Sequence, residues 1–223
     1  MTQAWQSPNY NERRQPLDMI VLHYTGMQSA QAALERLCDP AAQVSAHYLI
    51  DEDGQLFELV DPLHRAWHAG VSSWEGERDV NSRAIGIELV NPGHEFGYGD
   101  FPQAQIAQLL TLLAHLACRY HIPRFAIWGH SDVAPERKLD PGEKFPWARL
   151  ARHGFGVWPS LFAPRFDGHS EALLGAIGYP TGDLAAAQAA FKRHFRPHTV
   201  GQGWTRADTL AAGRILWALN NNA

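Results

Sequence analysis

Cysteine is scarce in this chain of 223 residues. Cys38 and Cys118 stand far apart without CxxC spacing, which excludes a disulfide scaffold and a cysteine-rich zinc knuckle. Both read as buried core thiols. No apolar stretch approaches the roughly 18 to 20 residues that span a bilayer, and Leu109 to Leu116 is interrupted and amphipathic, so no membrane span is expected. Positive charge is not in excess: the net charge is -4, and no nucleic-acid partner is expected. The segment MTQAWQSPNYNERRQPLD carries neither an apolar h-region nor a lipidation cysteine, which leads to a cytoplasmic expectation. A GxSxG elbow and a Walker loop are missing, so serine-hydrolase and nucleotide-dependent readings fall away. His94-Glu95 opens no HExxH helix, because Tyr98 stands where the second histidine belongs.

What is present reads as α/β. Asp18 to Tyr24 (DMIVLHY) is apolar and β-branched without helical period, a buried strand with His23 near its C-terminal end. Ser29 opens a short amphipathic helix through Cys38, with Ala33, Leu34 and Leu37 at helical spacing and Pro40 as its stop. HYLIDEDGQLFELV holds two strand-like runs around Asp53-Gly54, a hairpin signal. Asp61 to Ser82 shows no periodicity and reads as a long functional loop. Arg83 to Val90 returns to strand character. Pro102 to His121 carries Ile106, Leu109, Leu110, Leu113 and Leu116 on one helical face. Phe125 to Trp128 is a last strand before a polar loop through Gly142. The expected fold is a mixed central β-sheet flanked by helices.

Composition changes after about Trp158, where WPSLFAPRFDGHS reads as a linker. Helical patterns follow at Ser170 to Ile177, Asp183 to Phe195 and Thr205 to Leu219, the last with Thr205 as N-cap. These divide the chain into 1–158 and a three-helix domain at 159–223.

Candidate chemistry concentrates in His23 and in the loop GHSDVAPERKLDPG, which brings His130, Lys138 and Asp140 together in sequence. Two imidazoles and a carboxylate form a zinc set that leaves a fourth position for water. Spacing alone leaves open a second reading, solvated loop residues. Glu88 lies inside the apolar run Ile85 to Val90. It is either an outward-facing residue of a half-exposed sheet or a general base beside a metal.

With those residues in view, the chain resembles the type 2 N-acetylmuramoyl-L-alanine amidases, relatives of the peptidoglycan recognition proteins. The likeness runs through IVLHYTG at Ile20 to Gly26, VSAHYLIDEDG at Val44 to Gly54, AWHAGVSSWEG at Ala66 to Gly76, NSRAIGIELVN at Asn81 to Asn91 and GHSDVAPERKLDPG at Gly129 to Gly142. It implies the recognition-protein-like amidase fold, one Zn2+ per chain held by His23, His130 and Asp140, Glu88 as catalytic base, and Lys138 as oxyanion stabiliser. The expected substrate is peptidoglycan or a muropeptide, cut between N-acetylmuramic or anhydromuramic acid and L-alanine. His47 and His68 match substrate-groove positions, with loop fixation as the alternative. Trp67 and Trp74 are candidate walls for a sugar or stem peptide, or core fillers. A monomer is expected. The family also implies a periplasmic or envelope location as the alternative to the cytoplasm.

The C-terminal block resembles, more weakly, a three-helix peptidoglycan-binding domain, which would raise the effective substrate concentration by tethering. Two other functions stay in view: a recognition module that binds muropeptides without cutting them, and a zinc hydrolase of a different acyl amide. The presence of His23, Glu88, His130, Lys138 and Asp140 together argues against pure binding.

Overall fold

The run after Asp18 becomes the strand about which the molecule is arranged. The computed structural model describes residues 5–159, 163 and 166–221. Its strands are β1 (Tyr10–Glu12), β2 (Met19–Tyr24), β3 (Tyr48–Ile50), β4 (Leu56–Glu58), β5 (His64–Ala66), β6 (Ala84–Leu89) and β7 (Ile127–Gly129). Its helices are α1 (Ala30–Cys38), α2 (Val80–Arg83), α3 (Gly93–Phe96), α4 (Gln103–Tyr120), α5 (His130–Val133), α6 (Trp147–Arg152), α7 (Ser170–Ile177), α8 (Leu184–Phe195) and α9 (Arg206–Asn221).

Five strands make one mixed sheet in the order β4-β3-β6-β2-β7. β3, β6, β2 and β7 run parallel, and β4 turns back on β3 through Asp53-Gly54, where Gly54 takes φ +90. Such a positive φ suits glycine because no Cβ opposes it. The sheet is covered on both faces, which is why β2 reads as a continuous apolar run. Ile20 and Leu22 pack with Ile106, Leu109 and Leu113 of α4 on one side. Met19 and Val21 point the other way, toward Leu174, Phe191 and Ile215 of the C-terminal helices. α1 lays Leu34 and Leu37 against Leu49 and Val90.

The C-terminal helices therefore share an apolar cluster with the sheet, in which Met19, Trp74 and Trp128 meet Leu174, Phe191 and Phe195. Part of the stretch read as a linker, 160–162 and 164–165, lies outside the described residues. Phe191 is fully buried, its ring against Phe195 at 4.9 Å and Trp204 at 5.4 Å. Phe191→Ala is expected to cost about 3 to 5 kcal/mol through lost burial and the cavity left behind. Urea unfolding followed by tryptophan fluorescence measures it.

Two expectations are corrected. Residues 61–82 are not structureless: β5 pairs antiparallel with β1, and α2 closes the segment. The pairing signal lies in Tyr10–Glu12, far upstream, so no local pattern announced it. Nor is Cys118 a core thiol; it is exposed, and Cys38 is only partly buried. Position 118 falls two residues past Leu116, on the far side of α4 from the buried stripe.

Candidate active site

Strand parity decides which side chains can meet. His23 continues the Met19/Val21 face of β2, and Glu88 continues the Ala84/Gly86 face of β6. The two residues are register partners on neighbouring parallel strands, which lie about 4.8 Å apart. On the other flank of β2, β7 ends at Gly129 beside Leu22, so His130 follows directly at the first position of α5. Three parallel strands thus deliver His23, Glu88 and His130 at their carboxyl ends, where open α/β sheets place their sites. Asp140 returns from the loop after α5, with its carbonyl accepting the Ser131 N–H at 2.8 Å.

The donor atoms converge tightly. His23 Nδ1 lies 2.9 Å from His130 Nδ1 and 3.1 Å from Asp140 Oδ2, and His130 Nδ1 lies 3.0 Å from the same oxygen. The outer nitrogens are already committed: His130 Nε2 faces the Ala69 carbonyl at 3.1 Å, and His23 Nε2 faces His68 Nδ1 at 3.1 Å. With the ring protons placed there, both Nδ1 atoms turn lone pairs toward each other and toward a carboxylate. Three converging lone pairs repel unless a cation lies among them. Tetrahedral coordination at ~2.0 to 2.1 Å separates donors by about 3.3 Å, close to the spacing seen, so these residues form a group fit to hold a metal ion.

Electrostatics prepare the same group. Burial and the neighbouring His130 push His23 down to about 4, so it is neutral at physiological pH. Burial works against ionisation of Asp140, but His130 and His23 outweigh it and hold the carboxyl far below the usual carboxylate range. A neutral His23 and an ionised Asp140 are in the protonation states a metal requires of such ligands. Glu88 is different. Burial, then Asp140, raise its carboxyl well above the ordinary value, with Lys138 opposing. Its Oε2 is enclosed and meets no hydrogen-bond partner among the described residues.

A cleft of about 440 Å³ opens over this group, lined in part by Tyr24, Arg36, Trp67, Glu88, Arg137 and Lys138. His68 also faces it, and burial first and His23 second push that imidazole well below its ordinary pKa. The ring of His68 lies directly over β6: a Cβ on Gly86 would come within 2.4 Å of it. Gly86→Ala should displace His68 from His23 and lower kcat/KM by about 10- to 100-fold, the range for groups that orient metal ligands. Steady-state kinetics on the purified variant check this.

The structure brings His23, His68, Trp67, Glu88, His130, Lys138 and Asp140 to one cleft. His47 and Trp74 are elsewhere. His47 is fully buried, its Nδ1 accepting the Gly86 N–H at 2.9 Å and its Nε2 facing the His64 carbonyl at 3.1 Å. Arg13 Nη2 stands 2.8 Å from that Nε2, and burial followed by Arg13 lowers the imidazole to about 3. Trp74 packs against Trp128 within the apolar cluster, ring centroids 4.2 Å apart and planes tilted by 41°. Both belong to the loop-fixing and core alternatives. Arg36 and Arg137 also line the cleft; Arg137 sits inside GHSDVAPERKLDPG, but a basic residue in a polar loop carries no local signal that it faces a site. The Arg137 guanidinium spans the Ala69 and Val71 carbonyls.

Donors that could hold a metal ion, next to an acid with one enclosed oxygen, are equipment for hydrolysis, and a hydrolase is the class this fold and cleft define. The family described as N-acetylmuramoyl-L-alanine amidase matches residues 13–143, and the chain belongs to that family. It is 34% identical over 230 residues to the N-acetylmuramoyl-L-alanine amidase AmiD of Escherichia coli (strain K12), covering 90% of this chain and 82% of the relative. The structure of E. coli AmiD with anhydro-N-acetylmuramic acid-L-Ala-D-gamma-Glu-L-Lys superposes with a TM-score of 0.80 at 30% identity, covering 97% of this chain and 92% of that one. AmpDh3 of Pseudomonas aeruginosa with anhydromuramic pentapeptide gives a TM-score of 0.78 at 30% identity, covering 92% and 91%.

Proposed function

We propose that this protein is a zinc enzyme that hydrolyses the amide between N-acetylmuramic or anhydromuramic acid and L-alanine, in peptidoglycan or in muropeptides released from it. The observation that carries the reading is the triangle of His23, His130 and Asp140 beside Glu88, whose Oε2 is enclosed without a partner among the described residues. Both solved relatives were seen with anhydromuramyl peptides, which supports a substrate of that kind.

His23, His130 and Asp140 would hold the zinc, which would supply Lewis-acid polarisation of the scissile carbonyl, a more acidic water, and a positive field offsetting the burial of Glu88. Glu88 accepts the proton of the attacking water and hands it to the leaving alanine nitrogen, so one carboxyl serves as base and then as acid. The Lys138 ammonium, which lines the same cleft, faces the negative charge developing on the carbonyl oxygen. His68 keeps the proton of His23 on Nε2, leaving Nδ1 free for the metal. Trp67 presents an aromatic wall to the substrate.

Incubating the full chain with anhydromuramyl tripeptide and with intact sacculi, followed by mass spectrometry, tests the reading. Free stem peptide starting at L-alanine is the expected product. Intact substrate in both incubations with zinc supplied would refute it.

A further inference from the structure

Asp132 follows His130 by two residues, is fully buried, and takes no part in the chemistry described above. Its carboxylate is nevertheless well supplied with donors. Oδ2 accepts the Gly129 N–H at 2.7 Å and faces His194 Nδ1 at 2.7 Å, while Oδ1 accepts the Tyr179 hydroxyl at 2.7 Å. Gly129 and Asp132 bracket His130, so these bonds clamp the turn that presents this imidazole. The same turn supplies the Ser131 N–H that holds the Asp140 carbonyl. Two of the three donors come from the C-terminal segment: Tyr179 just after α7, and His194 within α8. Neither side chain is free to drift. The His194 ring stacks on Trp147 at 3.6 Å, and the Tyr179 ring meets Trp74 edge-on at 5.2 Å.

From this geometry we infer that Tyr179 and His194 are positioning residues of the metal centre, acting through Asp132 on the turn that carries His130 and sets Asp140. The inference rests on the metal-dependent reading above and extends it to a part of the chain that the family match, ending at residue 143, does not reach. The physical reason is local. A buried carboxylate that loses a donor is left undersolvated, and the turn relaxes to find another. Ligand atoms must keep their places to within about 0.5 Å for tight coordination.

The full chain is the material for the test, in three variants. His194→Phe keeps the stacking on Trp147 and removes the N–H; His194→Asn keeps an N–H near the Nδ1 position; Tyr179→Phe removes only a hydroxyl. Zinc dissociation constants by chelator competition, the visible spectrum of the cobalt(II) form and the melting temperature of the metal-free protein are measured for each. His194→Phe is expected to weaken zinc at least about tenfold, the lower end for residues that orient ligands, and to shift the cobalt spectrum. Tyr179→Phe moves both in the same direction by less, and His194→Asn recovers most of the loss. Wild-type zinc affinity and cobalt spectrum in His194→Phe and Tyr179→Phe, with only a lowered melting temperature, would overturn the inference alone. A wild-type chain that binds no zinc would overturn it together with the functional reading.

Discussion

Glu88→Gln is expected to lower kcat by about 10² to 10⁴, the range for losing a general acid–base, while one zinc per chain stays bound. Gln preserves the volume and reach of the side chain but cannot take a proton from water. The metal ligands come from β2, α5 and the following loop, not from Glu88, so coordination should survive. Stability should hold or rise, because the Oε2 atom of Glu88 is enclosed without a partner and a neutral amide is cheaper to bury than a carboxylate. Kinetics on anhydromuramyl tripeptide, metal analysis and thermal melting of the same preparation separate these effects. A full rate in Glu88→Gln would remove this residue from the chemistry.

Stripping zinc with a chelator is expected to bring activity to background, and adding Zn2+ back should restore it. Asp140→Ala should lose activity in the same way without recovery at ordinary zinc concentrations. It supplies the carboxylate of the triangle, and only the two imidazole donors remain without it. Because the ligands form a site only in the folded chain, zinc at 100 times its dissociation constant would stabilise the fold by ~2.7 kcal/mol. Chelation should therefore also lower the melting temperature. Persistent activity after exhaustive chelation, with metal analysis confirming an empty protein, would rule out the metal-dependent mechanism.

The role of Tyr179 and His194 bears on how the C-terminal helices are studied. Removing 159–223 takes away both side chains and uncovers Met19, Trp74 and Trp128. A truncated chain would thus lose metal-site support along with any wall contact. Binding of insoluble peptidoglycan by this segment is better tested with exposed substitutions on α7 and α9 in the full chain.

Elements with local signals were legible without coordinates. Ser29 caps α1 by accepting the Ala32 N–H, Asp183 caps α8 by accepting the Ala186 N–H, and α4 carries its apolar stripe at helical spacing. β5 was not legible, since its partner β1 lies some fifty residues upstream and a three-residue strand has no period of its own. His47 and Trp74 share motifs with cleft residues and yet face inward, and nothing in the motifs distinguishes the two directions. Asp132 stood in plain view inside GHSDVAPERKLDPG, but its partners are 47 and 62 residues away.

By itself, the amino-acid order determined the longer strands and helices such as β2, β6, α1, α4 and α8, the sheet-on-helix class and the titratable side chains capable of metal chemistry, because periodicity, caps and side-chain chemistry are properties of neighbours along the chain. Only the tertiary structure decided which of the candidate residues meet. Parallel pairing of β2 with β6 and β7 sets His23, Glu88 and His130 at the carboxyl ends of neighbouring strands, and the folding of α8 against α5 ties the turn that carries His130 to the C-terminal helices. Those are long-range contacts, chosen by burial of the whole set of apolar faces at once, and no short stretch of sequence contains them.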